Sequence, residues 1–281
     1  MAKLIRVDAE LVRRKLARSR AEAADLIHAG RVLLDGMVVA KPARQMDPAQ
    51  ALVVTEGERD DYASRGAHKL IGALEYLGDQ APTIKGIRAL DAGASTGGFT
   101  DVLLRNGAAE VIAVDVGYGQ LAWRLREDSR VRVMERTNVR NLTPDMVAPA
   151  PDLVVGDLSF ISLTLVIPPL ARVASATADF LLMVKPQFEI GKDRLGSGGV
   201  VRDTRDHVET VTKVALAGRE AGLAIQAVAP SPLPGPAGNV EYFIHMKAGG
   251  TDLGEDLAEA IDKAVASGPA GSGHPPAKEE R

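Results

Sequence analysis

The stretch DAGASTGGFTDVLLRNG, residues 91–107, joins an apolar run that stops at Asp91 to an amphipathic run that begins near Gly98. RALDAG (88–93) reads as a short buried strand and 98–106 as a helix, so Gly93 and the Gly97–Gly98 pair fall in a strand-to-helix turn. Glycine there permits torsions that a Cβ forbids and lets a ligand approach the backbone closely. The spacing is not GxGxxG, and it is not GxxxxGK[ST], because no lysine follows. Asp91 suits a cationic or hydrogen-bond-donating part of a ligand better than a phosphate.

The pattern repeats outward from this turn. VIAVDV (111–116), VRVMER (131–136), DLVVGD (152–157) and DFLLMVK (179–185) are short, apolar and β-rich, and strands are also expected at 223–229 and 240–247. Helices are expected at 66–77, 98–106, 119–127, 162–174, 203–221 and 252–266. Strands alternating with helices predict an α/β fold with a parallel sheet covered on both faces. Ligands of such sheets bind beyond the carboxyl ends of the strands. Asp115 ends the second strand, where an acidic residue accepts hydrogen bonds from ribose hydroxyls. An adenosine ligand without a pyrophosphate fits both observations, and S-adenosylmethionine is a molecule of that kind. Glycines that serve only tight strand–helix packing are the plainer alternative. Asn138, past the third strand, is placed to approach the adenine, although a simple asparagine turn explains it as well.

The first fifty residues differ in character. They carry ten Lys/Arg against six Asp/Glu, within a chain of 281 residues whose net charge is -3. A basic module on a more acidic body suggests a polyanionic partner. Ser19 with Glu22 reads as a capping box ahead of Ala23, Leu26 and Ile27, with Gly30 ending that helix. RVLLDGMVV (31–39) reads as a hairpin about Asp35-Gly36, and 52–54 as a third strand. The expected division is a small α+β domain over 1–59, a linker over 60–64, the α/β domain over 65–268 and a frayed Gly/Pro-rich tail over 269–281. The loop 186–202 is glycine-rich enough to fold over a ligand. With no cysteine and five scattered histidines, no metal site is expected. No apolar run approaches eighteen residues and the start lacks a signal-peptide core, so a cytoplasmic protein without a membrane span is expected.

Four polar residues lie where the sheet edge would gather them. Lys69 sits in SRGAHKL, Asp157 in GDLSF, Lys185 in LLMVKPQF and Glu241 in GNVEYF. A lysine after FLLMV is costly to bury unless paired. Two lysines and two carboxylates about one point suit removal of a proton from a weakly acidic hydroxyl, and a lysine must lose its own proton before it can act as the base. Each residue taken singly also fits an ordinary salt bridge.

The ordered set of motifs is highly specific, and through it nearly the whole chain resembles the TlyA family of ribosomal RNA 2'-O-methyltransferases. RVDAELVRRKLARSRAEAADLIHAGRV resembles an RNA-binding S4 domain. SRGAHKL, DAGASTGGFTDVLL, VDVGYGQL, GDLSFISL, VKPQFEIGK and GNVEYF resemble successive motifs of an FtsJ/RrmJ-like methyltransferase domain. The resemblance implies a Rossmann-like seven-stranded sheet with S-adenosylmethionine at Asp91, Gly93, Ala94, Ser95, Thr96, Gly97, Gly98 and Phe99, aided by Asp115, Asn138 and Asp157. It implies a catalytic tetrad of Lys69, Asp157, Lys185 and Glu241. It also implies methylation of cytidine ribose in 16S or 23S RNA within 30S or 50S subunits, and in actinobacterial relatives a link to capreomycin sensitivity.

The expected RNA contacts are Arg6, Arg13, Arg14, Lys15, Arg18 and Arg20, extended toward the site by Arg65 and His68. Such contacts to phosphates bring affinity and salt dependence with little base readout. Aromatics are only 4% of the chain, which argues against a single-strand stacking platform. Recognition of folded RNA by shape, with the target nucleotide turned out of its helix, is expected instead. A monomer on a large RNA partner is the expected form. The rival readings are a non-catalytic RNA-binding or ribosome-assembly protein and, from the family's label, a membrane-lytic haemolysin.

Overall fold

Seven strands pair into one sheet, and the inner ones are apolar on both faces, whereas the edge strand over 131–134 carries the exposed Arg132. A computed structural model describes residues 4–28, 30–55, 62–196, 198–235 and 237–268. It divides into two units, Met1–Asp61 and Tyr62–Arg281.

The first unit runs β1 (Ile5–Arg6), α1 (Val7–Arg13), α2 (Arg20–His28), β2 (Val32–Leu34), β3 (Met37–Val38), β4 (Gln45–Met46) and β5 (Leu52–Val54). β2 is central to an antiparallel sheet with β3 and β5, and β1 pairs separately with β4. Asp35 and Gly36 both have positive φ, 50° and 81°, the torsions of a tight two-residue hairpin turn. Ser19 Oγ accepts the Glu22 N–H at 3.2 Å, and the Glu22 carboxylate turns back to the Arg18 N–H, so the cap spans one residue more than the simple box. Val7, Leu11, Ala23, Ile27, Val32 and Met46 form the core. The β1–β4 pair, two residues on each side, is too short to register as a pattern in the sequence.

The second unit runs α3 (Gly66–Leu77), β6 (Arg88–Ala92), α4 (Gly98–Arg105), β7 (Glu110–Val114), α5 (Trp123–Arg126), β8 (Val131–Met134), α6 (Pro144–Val147), β9 (Leu153–Gly156), α7 (Ile167–Val173), β10 (Asp179–Val184), α8 (Pro186–Glu189), α9 (Thr204–Glu220), β11 (Leu223–Pro230), β12 (Tyr242–Ala248) and α10 (Leu257–Ser267). The strand order is β11-β12-β10-β9-β6-β7-β8. Leu90, Ala92, Val154 and Phe180 face the side covered by α7, α9 and α10, while Ala89, Val155, Leu181 and Met183 face α3 and α4. This alternation is the two-residue period of a strand buried on both sides. Among the described residues no helix is long and apolar enough to cross a membrane.

Several elements depart from the sequence expectation. The stretch 186–202, expected as a loop, opens with the helix α8, because Pro186 favours the first turn of a helix, and the helix expected over 252–266 begins only at Leu257 after a 3-10 turn. The helix expected over 119–127 is only Trp123–Arg126. That expected over 162–174 is broken into a 3-10 turn, Leu163–Leu165, and α7, because Pro168 and Pro169 favour the first turn of a new helix. β12 is not parallel to the rest but lies antiparallel between β10 and β11. The short connection from β11 favours a hairpin-like return over a helical crossover. The reversal matters because Val184 pairs with Tyr242, so the residue entering β12, Glu241, emerges at the same sheet edge as Lys185, the residue leaving β10.

The expected linker over 60–64 is described only from Tyr62, and the expected tail over 269–281 lies outside the described residues. Tyr62 carries the Arg105 guanidinium 4.1 Å from its ring centroid, and the Ala63 N–H donates to Asp101 Oδ2 at 2.8 Å.

Candidate active site

Lys69 lies in the first turn of α3, Asp157 follows β9, Lys185 follows β10 and Glu241 precedes β12. Their charges form a continuous line. Lys69 Nζ is 2.5 Å from Glu241 Oε2 and 4.0 Å from Asp157 Oδ2, and Asp157 Oδ1 is 2.6 Å from Lys185 Nζ. Lys69 and Lys185 are each 7% exposed and Glu241 is 1% exposed, so isolated charges here would be prohibitive. Two cations against two anions make the group neutral and tolerable. Lys185 also donates to Ser159 Oγ at 2.8 Å, while Lys69 is held most closely by Glu241.

These groups open on a cavity of about 330 Å³. Lys69, Asp157 and Lys185 line it together with Asp91, Gly93, Ala94, Ser95, Thr96, Gly98 and Phe99 from the turn after β6. Glu241 is not on its wall but is bonded to Lys69, which is. Gly97, Asp115 and Asn138 are not on the wall either. Asp115 accepts the Ser95 N–H at 2.8 Å and the Gly117 N–H at 2.7 Å, so its carboxylate shapes the turn in which Ser95 takes φ 50°. Asn138 is exposed, and its Oδ1 accepts the Arg140 N–H at 3.0 Å as a turn cap.

The glycines divide by cause. Gly97 has φ 98°, and a Cβ there would stand 2.2 Å from Leu125 Cδ1. At Gly98 a Cβ would stand 2.4 Å from Ser64 Oγ and 2.9 Å from the Ala67 backbone nitrogen, so this residue sets how closely α4 approaches the start of α3. Tight packing therefore accounts for both members of the pair. Gly98→Ala is expected to destabilise the second unit by about 1–3 kcal/mol, the usual cost of overpacking, and to lower the melting temperature read by calorimetry.

Asp91 tests the fit of the turn to a ligand. It is 1% exposed; Oδ2 accepts both the backbone N–H and the hydroxyl of Thr100, at 2.9 and 2.7 Å, while no group among the described residues donates to Oδ1. Burial pushes its carboxyl up to about 7 against the two Thr100 bonds, and the charges of Asp157 and Asp115 push the same way. A buried carboxyl with one unsatisfied oxygen beside a cavity fits an ammonium group, such as the amino acid end of S-adenosylmethionine.

In the first unit most of the expected RNA-binding residues are ion-paired. Arg6 and Arg20 share Asp8, at 2.8 and 3.0 Å, and Arg13 and Arg14 share Glu10, at 2.6 Å each. Hydrogen bonds from Arg6 and from Arg13 hold the carboxyls of Asp8 and Glu10, respectively, down to about 2. Arg18 pairs with Glu22 at 3.0 Å. Arg14 additionally donates to the carbonyls of Pro48 and Gln50, at 2.7 and 3.2 Å, which makes it a structural tie. Arg18 and Arg20 leave 88% and 60% of their side chains exposed. Lys15 adopts φ 59° in the turn after α1. In the second unit Arg65 lines the cavity, and His68 meets the Tyr62 ring edge-on at 5.8 Å.

Sequence reasoning passed over Ser159, Phe160, Phe188 and Glu189. Phe160 is 90% exposed with φ 63°, and its ring lies 5.2 Å from that of Phe188. The signal was an aromatic residue beside a tetrad residue in GDLSF, and another in VKPQFE.

The sheet, the turn after β6 and the N-terminal unit define the class: a methyltransferase of the S-adenosylmethionine-dependent, Rossmann-like fold joined to an S4 domain. Residues 62–248 match the FtsJ-like methyltransferase family and residues 5–50 match the S4 domain family. The chain is 54% identical over 273 residues to the 16S/23S rRNA (cytidine-2'-O)-methyltransferase TlyA of Mycobacterium tuberculosis (strain ATCC 25618 / H37Rv), covering 96% of this chain and 100% of that one. It is 31% identical over 252 residues to the 23S rRNA (cytidine-2'-O)-methyltransferase TlyA of Campylobacter jejuni, covering 83% and 96% of the two. A solved structure of a Streptococcus thermophilus protein named as a haemolysin superposes with a TM-score of 0.70 at 34% identity, over 94% of this chain and 96% of that one. The chain belongs to the TlyA family.

Proposed function

We propose that this protein methylates the ribose 2'-hydroxyl of cytidine in ribosomal RNA, using S-adenosylmethionine. The observation that carries the reading is that Lys69, Asp157 and Lys185 wall the same cavity as the glycine turn and Asp91. The names borne by the Mycobacterium tuberculosis and Campylobacter jejuni relatives support the substrate class.

S-adenosylmethionine supplies an electrophilic methyl group. Asp91 and the backbone of Gly93 to Thr96 and of Gly98 would hold it, with Asp115 stiffening the turn. The chain's remaining task is to align a hydroxyl and take its proton. Lys185, held by Asp157 and Ser159, is placed to take that proton once it has given up its own. Lys69, locked by Glu241, supplies a fixed positive charge beside the oxygen as negative charge develops. The exposed Phe160 ring, paired with Phe188, offers a stacking surface for a base turned out of its helix.

The test is transfer of labelled methyl to separated, unmodified 30S and 50S subunits, with the product mapped by mass spectrometry. Label as 2'-O-methylcytidine on either subunit supports the reading, and its distribution gives the subunit specificity. Intact cofactor binding with no label on either would favour a non-catalytic RNA-binding protein.

The basic residues of the first unit would then differ in role. Arg18→Ala with Arg20→Ala is expected to weaken subunit binding and flatten its dependence on the logarithm of salt concentration by roughly 1–2, about 0.7–0.9 for each phosphate no longer neutralised. Arg14→Ala is instead expected to destabilise the first unit by about 1–3 kcal/mol, because it leaves the buried Glu10 and two carbonyls short of a donor. Filter binding at several salt concentrations and thermal melting separate the two effects.

A further inference from the structure

Glu189 ends α8, which begins directly after Lys185, yet it is only 3% exposed and its carboxylate bonds are made away from the tetrad. Its Oε1 accepts the Leu163 N–H at 2.7 Å and its Oε2 accepts the Ser162 hydroxyl at 2.5 Å. Both partners belong to the segment that leaves β9 carrying Asp157, Ser159 and Phe160. Lys213 of α9 backs the arrangement, donating from Nζ to the Glu189 carbonyl at 2.7 Å and standing 3.9 Å from Oε2.

The segment needs such a tie. Residues 157–162 form neither helix nor strand, and Phe160 sits in the left-handed region, which costs a non-glycine residue and persists only where the surroundings hold it. Burial pushes the Glu189 carboxyl up, opposed by the bonds from Ser162 and Leu163. A buried carboxylate is a poor source of stability by itself, so what distinguishes this one is the geometry it imposes.

We propose that Glu189 is a positioning residue for the transfer reaction. It clamps the loop after Asp157 to the helix after Lys185, and thereby sets the Lys185–Asp157 pair, the Ser159 contact and the Phe160 ring beside Phe188. The inference rests on the methyl-transfer reading and extends it to a residue that touches neither cofactor nor ribose.

The experiment measures methyl transfer to ribosomal subunits, S-adenosylhomocysteine binding by calorimetry and thermal melting, for the wild type and for Glu189→Ala, Glu189→Gln and Ser162→Ala. Glu189→Ala is expected to lower kcat by about 10–100-fold, the scale of a misplaced catalytic group, with cofactor affinity within about twofold. Glu189→Gln keeps an acceptor for the Leu163 N–H, and its amide donates to the Ser162 oxygen, so most of the rate should return. A role in stability alone would lower the melting temperature and leave kcat of the folded protein unchanged, which overturns the proposal. Should Glu189→Ala fail to fold, Ser162→Ala carries the test: a reduced kcat with normal cofactor binding supports the clamp, and an unchanged kcat overturns it. A wild type that labels neither subunit overturns the methyl-transfer reading itself, an outcome distinct from an active wild type with equally active variants.

Discussion

Lys185→Ala is expected to slow methyl transfer by about 10²–10⁴-fold, the range for loss of a general base, while S-adenosylhomocysteine binds within about threefold of the wild-type affinity. Lys185 Nζ contacts Asp157 at 2.6 Å and Ser159 at 2.8 Å, whereas Lys69 is bound to Glu241 at 2.5 Å. Lys185→Arg separates the two roles a lysine can have here. A guanidinium keeps the charge but cannot release its proton at usable pH. If Lys185 takes the hydroxyl proton, the arginine variant is as slow as the alanine variant. If it supplies only positive charge, the arginine variant recovers a large part of the rate. Single-turnover rates on ribosomal subunits, beside calorimetric cofactor affinities, decide between them.

The second large effect falls on cofactor binding. Asp91→Asn preserves the shape of the side chain and removes its charge, and S-adenosylmethionine affinity is expected to drop by roughly 10–100-fold, the worth of a charge-assisted bond. The pH dependence follows from the carboxyl held at about 7. Its acid form prevails below that value and does not attract an ammonium group, so wild-type affinity should rise as pH increases. From pH 6 to 7.5 the gain is about fivefold, limited at the upper end by loss of the amine's own proton near pH 8. The asparagine variant should lack the rise, as should wild type titrated with methylthioadenosine, which lacks the amino-acid end and its ammonium group. Calorimetry across this range checks both. A flat wild-type profile would remove Asp91 from the ammonium site.

The amino-acid sequence determined what depends on near neighbours and on the strand–helix rhythm. The turn at 91–98, the hairpin at Asp35-Gly36 and the α3 span from Gly66 to Leu77 were legible because each is set by a few adjacent residues and a short apolar period. Asp115, Asp157 and Lys185 were legible as site candidates for the same reason, since a polar residue closing an apolar strand lies at the ligand edge of a parallel sheet. What only the tertiary structure decided depends on partners remote in the chain. All four tetrad residues were expected at one sheet edge, but which lysine pairs with which carboxylate was not legible: Lys69 and Glu241, 172 positions apart, pair because β12 is inserted antiparallel and brings its beginning to the edge where β10 ends. Arg14 and Arg18 look alike in sequence, yet Arg14 is spent on carbonyls 34 and 36 residues away while Arg18 faces solvent. Nothing in VKPQFE singles out Glu189, which folding buries against Ser162 and Leu163. Local propensity shapes a turn or a helix, but which of two identical side chains is buried, and against what, is set by long-range packing that no short window of sequence contains.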